Sequence, residues 1–186
     1  MAIIRNGLNR PNAETLFGTD FVQQTSKEKK ATSGKELVKE YQIKDFPVDI
    51  VDFARKLGIE IKYENLENDV SGKISNKDGH YTITVEARHS PNRQRFTIAH
   101  EIAHYFLHKN LKENFEDVVF FRGGDTNSIE FQANLFAGEI LMPEEEFFKQ
   151  IKSGKSKIED LAEYFGVSTL AIRVRAKQLN LQGHGL

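Results

Sequence analysis

His100-Glu101-Ile102-Ala103-His104 sets two imidazoles and a carboxylate within five consecutive residues. On an α-helix, with about 100° and 1.5 Å per residue, the two histidines stand about 40° apart and about 6 Å apart along the axis, so both rings reach one metal ion. Glu101 lies beside them and suits a general base acting on water. The bland alternative is a solvated histidine stripe on a surface helix. It conflicts with Phe96, Ile98, Ala99, Ile102, Ala103, Phe106 and Leu107, which make the segment apolar over most of its circumference. Polar groups set among such neighbours need partners.

A hydrolytic zinc takes three protein ligands and keeps one position open. His108 is a poor third ligand, being about 12 Å further along the axis than His100. Downstream carboxylates include Glu113, Glu116, Asp117, Asp125, Glu130 and Glu139. Glu130 is the best of them, because it opens a stretch, SIEFQANLFAGEILM, that is apolar nearly all round and expected to be buried, where a carboxylate needs a cation. The alternative for Glu130 is a capping box with Asn127 as N-cap.

The elements that must position these groups can be read from the pattern. Val48, Ile50, Val51, Phe53, Ala54 and Leu57 repeat as a helix that starts near Pro47 and stops at Gly58. Strands follow at Ile59–Tyr63, Val70–Ile74 and His80–Val85, the last two joined by a turn-rich Ser75–Gly79 into a hairpin. Ser90-Pro91 caps and opens the helix that carries the histidines, which runs to about His108. After an irregular stretch a helix spans Ser128–Met142, and Pro143 breaks it ahead of an acidic-fronted helix to Lys152. Ser156–Leu181 reads as two helices hinged at Gly166. The strand Tyr81–Val85 is a candidate to pair with an extended substrate, with an ordinary strand as the alternative. Tyr81, His89, Arg93, Arg95 and Tyr105 lie near enough in sequence to assist an oxyanion, and nothing in the pattern selects among them.

Composition narrows the chemistry. The 186 residues contain no cysteine, which excludes a thiolate zinc site, a cysteine nucleophile and a disulfide framework together. Any transition metal must sit on histidine and carboxylate. A net charge of −1 offers no global field for nucleic acid. No apolar run approaches the roughly 18 residues of a membrane span, and the first residues lack the apolar core of a secretory signal, so a cytoplasmic protein is expected. Residues 1–34 are polar with scattered apolar side chains and read as a flexible arm, with docking through Leu16, Phe17 and Phe21 as the alternative.

RFTIAHEIAHYFLH (95–108) followed by EFQANLFAGEILMP (130–143) resembles the ImmA/IrrE family of metallo-endopeptidases, and the likeness extends over roughly 47–150. The resemblance implies an α+β, zincin-like minimal metalloprotease: a small antiparallel sheet packed on an active-site helix, with Zn2+ on His100, His104 and Glu130 and Glu101 as general base. Asn134, one turn past Glu130, could orient a ligand. The chain departs from the family pattern at Gly138-Glu139-Ile140, where a bulkier run is more usual.

The C-terminal segment LAEYFGVSTLAI resembles a helix-turn-helix, with Arg173, Arg175 and Lys177 on its second helix as possible nucleic-acid or partner contacts. Arg175 falls where that motif expects an apolar residue. Residues 151–186 hold six Lys and Arg against three Asp and Glu, a small basic excess that leaves nucleic acid possible but not favoured. Three segments are therefore expected: the arm at 1–34, a zinc metallopeptidase domain at 35–152 and the helix-turn-helix-like segment at 153–186. The expected function is cleavage of a specific cytoplasmic protein. The family resemblance points to an XRE-type repressor, often encoded on mobile elements, whose cleavage induces repressed genes. The alternative is a DNA-binding regulator or toxin-like partner with a structural zinc site.

Overall fold

Seven helices and four strands follow one another in the computed structural model, which describes residues 31–108, 114–118, 128–155 and 157–181. Helix α1 (Gly34–Glu40) is capped by Ser33, whose Oγ accepts from the Glu36 N–H at 3.3 Å. Gly34 lets it press on α4 (Ser128–Leu141), since a β-carbon there would strike the Phe136 carbonyl oxygen. Ala31–Gly34, expected as the end of the arm, thus belong to the compact unit 31–186, and residues 1–30 lie outside the described residues.

Helix α2 (Ile50–Lys56) begins three residues later than Pro47 suggests. The reason is its cap: Asp49 accepts from the Asp52 N–H at 2.9 Å and fixes the first turn there. Gly58, at φ +75°, turns the chain into β1 (Ile59–Glu64). Strands β2 (Val70–Lys77) and β3 (His80–Glu86) form the expected hairpin around Asp78-Gly79, both at positive φ.

The sheet order is β1-β3-β2-β4, with β4 at Asn114–Val118. The sheet is mixed rather than purely antiparallel, because β1 runs parallel to β3 in the register Ile59↔Tyr81 to Glu64↔Glu86. The α2-to-β1 turn delivers β1 to the outer edge of β3, after which the chain crosses over to start β2. Since β3 is paired on both sides, by β1 and β2, it has no edge to offer an extended substrate. That expectation is corrected: β3 is interior. Between Val70↔Val118 and Lys73↔Glu116 the β2–β4 register slips by one residue, a bulge at Ser71-Gly72.

Helix α3 (Pro91–His108) lies against this sheet on one side and α4 on the other, with Ile98, Ala99, Ile102 and Ala103 at most 1% exposed. Its apolar circumference therefore reflects burial on two faces. Pro143 separates α4 from α5 (Glu144–Lys152), and stacking of Phe147 on Phe165, 5.6 Å between centroids, ties α5 to α6 (Ile158–Phe165). Gly166, in the left-handed region at φ +62°, ends α6, and Ser168 caps α7 (Thr169–Gln178). Leu161, Phe165, Ile172 and Ala176 from this pair enter the same hydrophobic core as α3 and α4.

Candidate metal centre

Helix geometry puts His100 and His104 on the face of α3 that meets α4. Their Nε2 atoms lie 2.8 Å apart. Glu130, in the first turn of α4, brings its carboxylate to both, 3.2 Å from His100 Nε2 and 3.6 Å from His104 Nε2. One donor atom from each of the three lies within 4.8 Å of the others, and among the described residues this is the one such group of three or more. The histidines are buried, whereas the Glu130 side chain is two-fifths exposed, so the cluster opens on the glutamate side. The two imidazoles hold the Glu130 carboxyl well below its usual range, His100 first and His104 second, with burial opposing them. A carboxylate kept ionised against two imidazole nitrogens is a donor set that suits zinc.

Asn134 stands one turn along α4 from Glu130, and its Oδ1 lies 3.1 Å from His100 Nδ1. With the amide oxygen toward the ring, Nδ1–H donates to it, the tautomer that would leave the Nε2 lone pair for a metal ion.

Glu101 is fully buried and faces a different neighbour. At about 100° from His100 on the helix, it points toward the bulge in β2. A β-carbon on Gly72 would stand 3.4 Å from Glu101 Oε1 and would collide with Thr97 Cγ2. The missing side chain at 72 is what lets α3 come this close to the sheet. Ser71, the other bulge residue, accepts from Arg93 Nη2 at 2.9 Å. Sequence reasoning missed this pair, although a glycine inside a strand pattern is the usual sign of a bulge or close backbone approach.

The remaining candidates fall elsewhere. Glu139 accepts from the Lys35 N–H at 3.3 Å, away from the histidines. Glu113, Asp125 and Asn127, the N-cap of the alternative reading of Glu130, lie outside the described residues. Arg95 donates to the Gly166 carbonyl at 3.0 Å, and Tyr81 packs edge-to-face on Tyr105, so each of these has a structural contact. On α7, Arg173 and Lys177 are exposed, but Arg175 is only 4% exposed and donates through Nε to the Met142 carbonyl at 3.0 Å. Arg175 is therefore withdrawn from the surface contacts expected of it: it occupies the interior position where the helix-turn-helix pattern would have an apolar residue.

Residues 54–177 match the family described as the IrrE N-terminal-like domain, Peptidase M78. Metallopeptidase ImmA of Bacillus subtilis (strain 168) is 30% identical over 119 residues, which cover 61% of this chain and 69% of that protein. The chain belongs to the ImmA/IrrE family of metallopeptidases. A solved structure described as a Mycobacterium tuberculosis transcriptional regulator shares the fold, with a TM-score of 0.55 at 20% identity over 75% of this chain. The chain spans 43% of that longer structure. Family membership gives the His100–His104–Glu130 group its context, since a metallopeptidase requires a metal and this donor set fits one.

Proposed function

We propose that this ImmA/IrrE-family chain is a zinc endopeptidase that cuts a specific protein in the cytoplasm. The observation that carries the reading is the convergence of His100 Nε2, His104 Nε2 and the Glu130 carboxylate beside a buried Glu101 on the same helix. In it, His100, His104 and Glu130 hold the ion, and residues 35–152 carry the chemistry.

Zinc bound there supplies Lewis acidity, polarising a carbonyl and acidifying water. The chain's own groups do the rest. Asn134 fixes the His100 ring so that Nε2 stays unprotonated. Glu101 removes a proton from water as its oxygen bonds to the scissile carbonyl carbon. It then returns that proton to the amide nitrogen as the C–N bond breaks.

On the family resemblance the substrate is an XRE-type repressor encoded nearby, often on a mobile element, and its cleavage releases repressed genes. Co-expression of such a repressor with wild type or Glu101→Gln, followed by mass measurement of the products, tests the reading. Two fragments with wild type and intact repressor with a zinc-loaded Glu101→Gln are expected. Fragments from the Glu101→Gln chain would overturn the general-base role. The rival reading, a DNA-binding regulator with a structural zinc, keeps Arg173 and Lys177 as its exposed cations. It calls for DNA retention with a steep salt dependence that falls when those two are replaced.

A further inference from the structure

A groove of about 450 Å3 runs between α3, α4 and α7. Asn134, which holds His100, is part of its wall, as is Phe131, the neighbour of Glu130. Along α4 the lining residues are Phe131, Asn134, Gly138 and Met142, and along α7 they are Leu170, Val174 and Gln178. Both sets recur at three- or four-residue spacing, so each helix turns one continuous stripe into the groove. Among the described residues, five large apolar side chains are exposed, and three of them, Phe131, Leu170 and Val174, meet here. Scattered exposed apolar residues mean little, but a contiguous set beside a functional site marks a contact surface.

Two further observations define the occupant. Among the described residues of the lining the charged ones are both arginines: Arg93 is exposed, while Arg175 is interior and donates to the Met142 carbonyl. Thr97, one turn before Glu101, lines the groove with its Oγ1 buried and without a hydrogen-bond partner among the described residues. The groove is thus apolar along its length and cationic at the α3 end, where Arg93 is exposed. Gly138, the departure from the family pattern, deepens it. A β-carbon at 138 would meet only Gln178 Oε1 at 3.7 Å and Arg175 Cδ at 3.8 Å, so the site has room for a side chain that the sequence omits.

We infer that this groove docks an amphipathic helical segment of the protein substrate, apolar on one face and acidic along its edge. The inference rests on the peptidase reading and deepens it. Three helices presenting stripes around a trough leave the place of a fourth, and helix-in-groove recognition uses such spacing. A segment seated there lies beside Asn134, which touches His100, so the remainder of the same substrate chain can extend toward the open side of Glu130.

The test uses the full chain carrying Glu101→Gln, so that binding is read without turnover. The probe is a fluorescein-labelled amphipathic helix of about three heptads, with leucine at a and d and glutamate beside them, followed by fluorescence anisotropy. Saturable binding is expected, weakened about tenfold or more by Val174→Asp and separately by Gly138→Leu, each the loss of about 1.4 kcal/mol. A lysine-bordered version of the probe binds several-fold more weakly. Val174 is exposed, so its variant keeps the fold, which an unchanged zinc content and melting midpoint verify. Absence of saturable binding, or binding indifferent to both variants, overturns the inference. So does a wild-type chain that sediments as a dimer and becomes monomeric with Val174→Asp, for then a second copy covers the groove. The peptidase reading is judged apart: an uncut repressor with zinc-loaded wild type counts against cleavage, whereas wild-type cleavage that Val174→Asp leaves unchanged counts against docking.

Discussion

His100 turns Nδ1 toward the side-chain oxygen of Asn134, 3.1 Å away on the facing helix. That one contact fixes ring orientation and tautomer together, and metal-ligand histidines depend on both. Asn134→Ala is therefore expected to lower zinc affinity about 10- to 100-fold. Competition with a chromophoric chelator measures it. Asn134→Asp keeps an acceptor for Nδ1–H and should stay near wild type. An alanine variant with undiminished affinity would show that packing alone orients the ring.

Gly72 and Thr97 meet where helix presses on sheet, at the bulge that also faces Glu101. Gly72→Ala forces its methyl onto Thr97 Cγ2 and should cost about 1–3 kcal/mol, the usual range for overpacking. It should also displace Glu101 and lower the cleavage rate. Thr97→Ser removes the colliding methyl, so the double variant should recover part of both losses. The Thr84 carbonyl, 3.2 Å from the same point, limits that recovery. Urea denaturation of the two single variants and the double variant checks the coupling.

Much of this site was legible in the sequence, for reasons specific to each residue. His100 and His104 are fixed by helical periodicity, whereas Glu130 rests on an expected burial that α4 reaches only from Ala133 on, the Glu130 side chain being two-fifths exposed. Strands β1 to β3 and helices α3 to α7 came from alternation, caps and the stops at Pro143 and Gly166, which are local signals. What stayed hidden is non-local. The parallel pairing of β1 with β3 depends on a crossover that no residue pattern encodes. The bulge at Ser71-Gly72 exists only in relation to β4, and the burial of Arg175 only in relation to the Met142 carbonyl. Helix α1 escaped because its seven residues bury just Gly34 and Leu37, too few to set up a periodic signal.

Glu86 supplies a pH dependence away from the metal. Its carboxylate accepts from Arg88 Nε at 2.7 Å and Nη2 at 2.8 Å, from the Arg88 N–H and from the Leu66 N–H. The Arg88 guanidinium foremost, then these backbone donors, hold the carboxyl far below the ordinary glutamate value near 4.5. A folded-state pKa depressed below the unfolded one stabilises the fold above the unfolded value, and that stabilisation is lost as pH falls toward the folded value. Wild type should therefore melt above Glu86→Gln at pH 7, and the gap should narrow steadily below about pH 4.5. A gap independent of pH would assign the difference to packing instead.

Arg175 provides the sharpest separation between an interior role and a surface one. Its Nε donates to the Met142 carbonyl just past the end of α4, where the terminal carbonyls of a helix lack intrahelical donors and favour a cation. Nη1 reaches Gln178 Oε1 at 3.3 Å, and the stem is buried between α4 and α7. Arg175→Ala removes both the donor and the packing, and should destabilise the fold by about 2–3 kcal/mol. Arg175→Met keeps most of the stem and should cost about half as much, since only the donor is lost. Denaturant midpoints for the two variants give this ordering directly. If both unfold like wild type while DNA retention drops, the guanidinium works at the surface after all. If the ordering holds and retention is unmoved, any nucleic-acid contact on α7 is confined to Arg173 and Lys177.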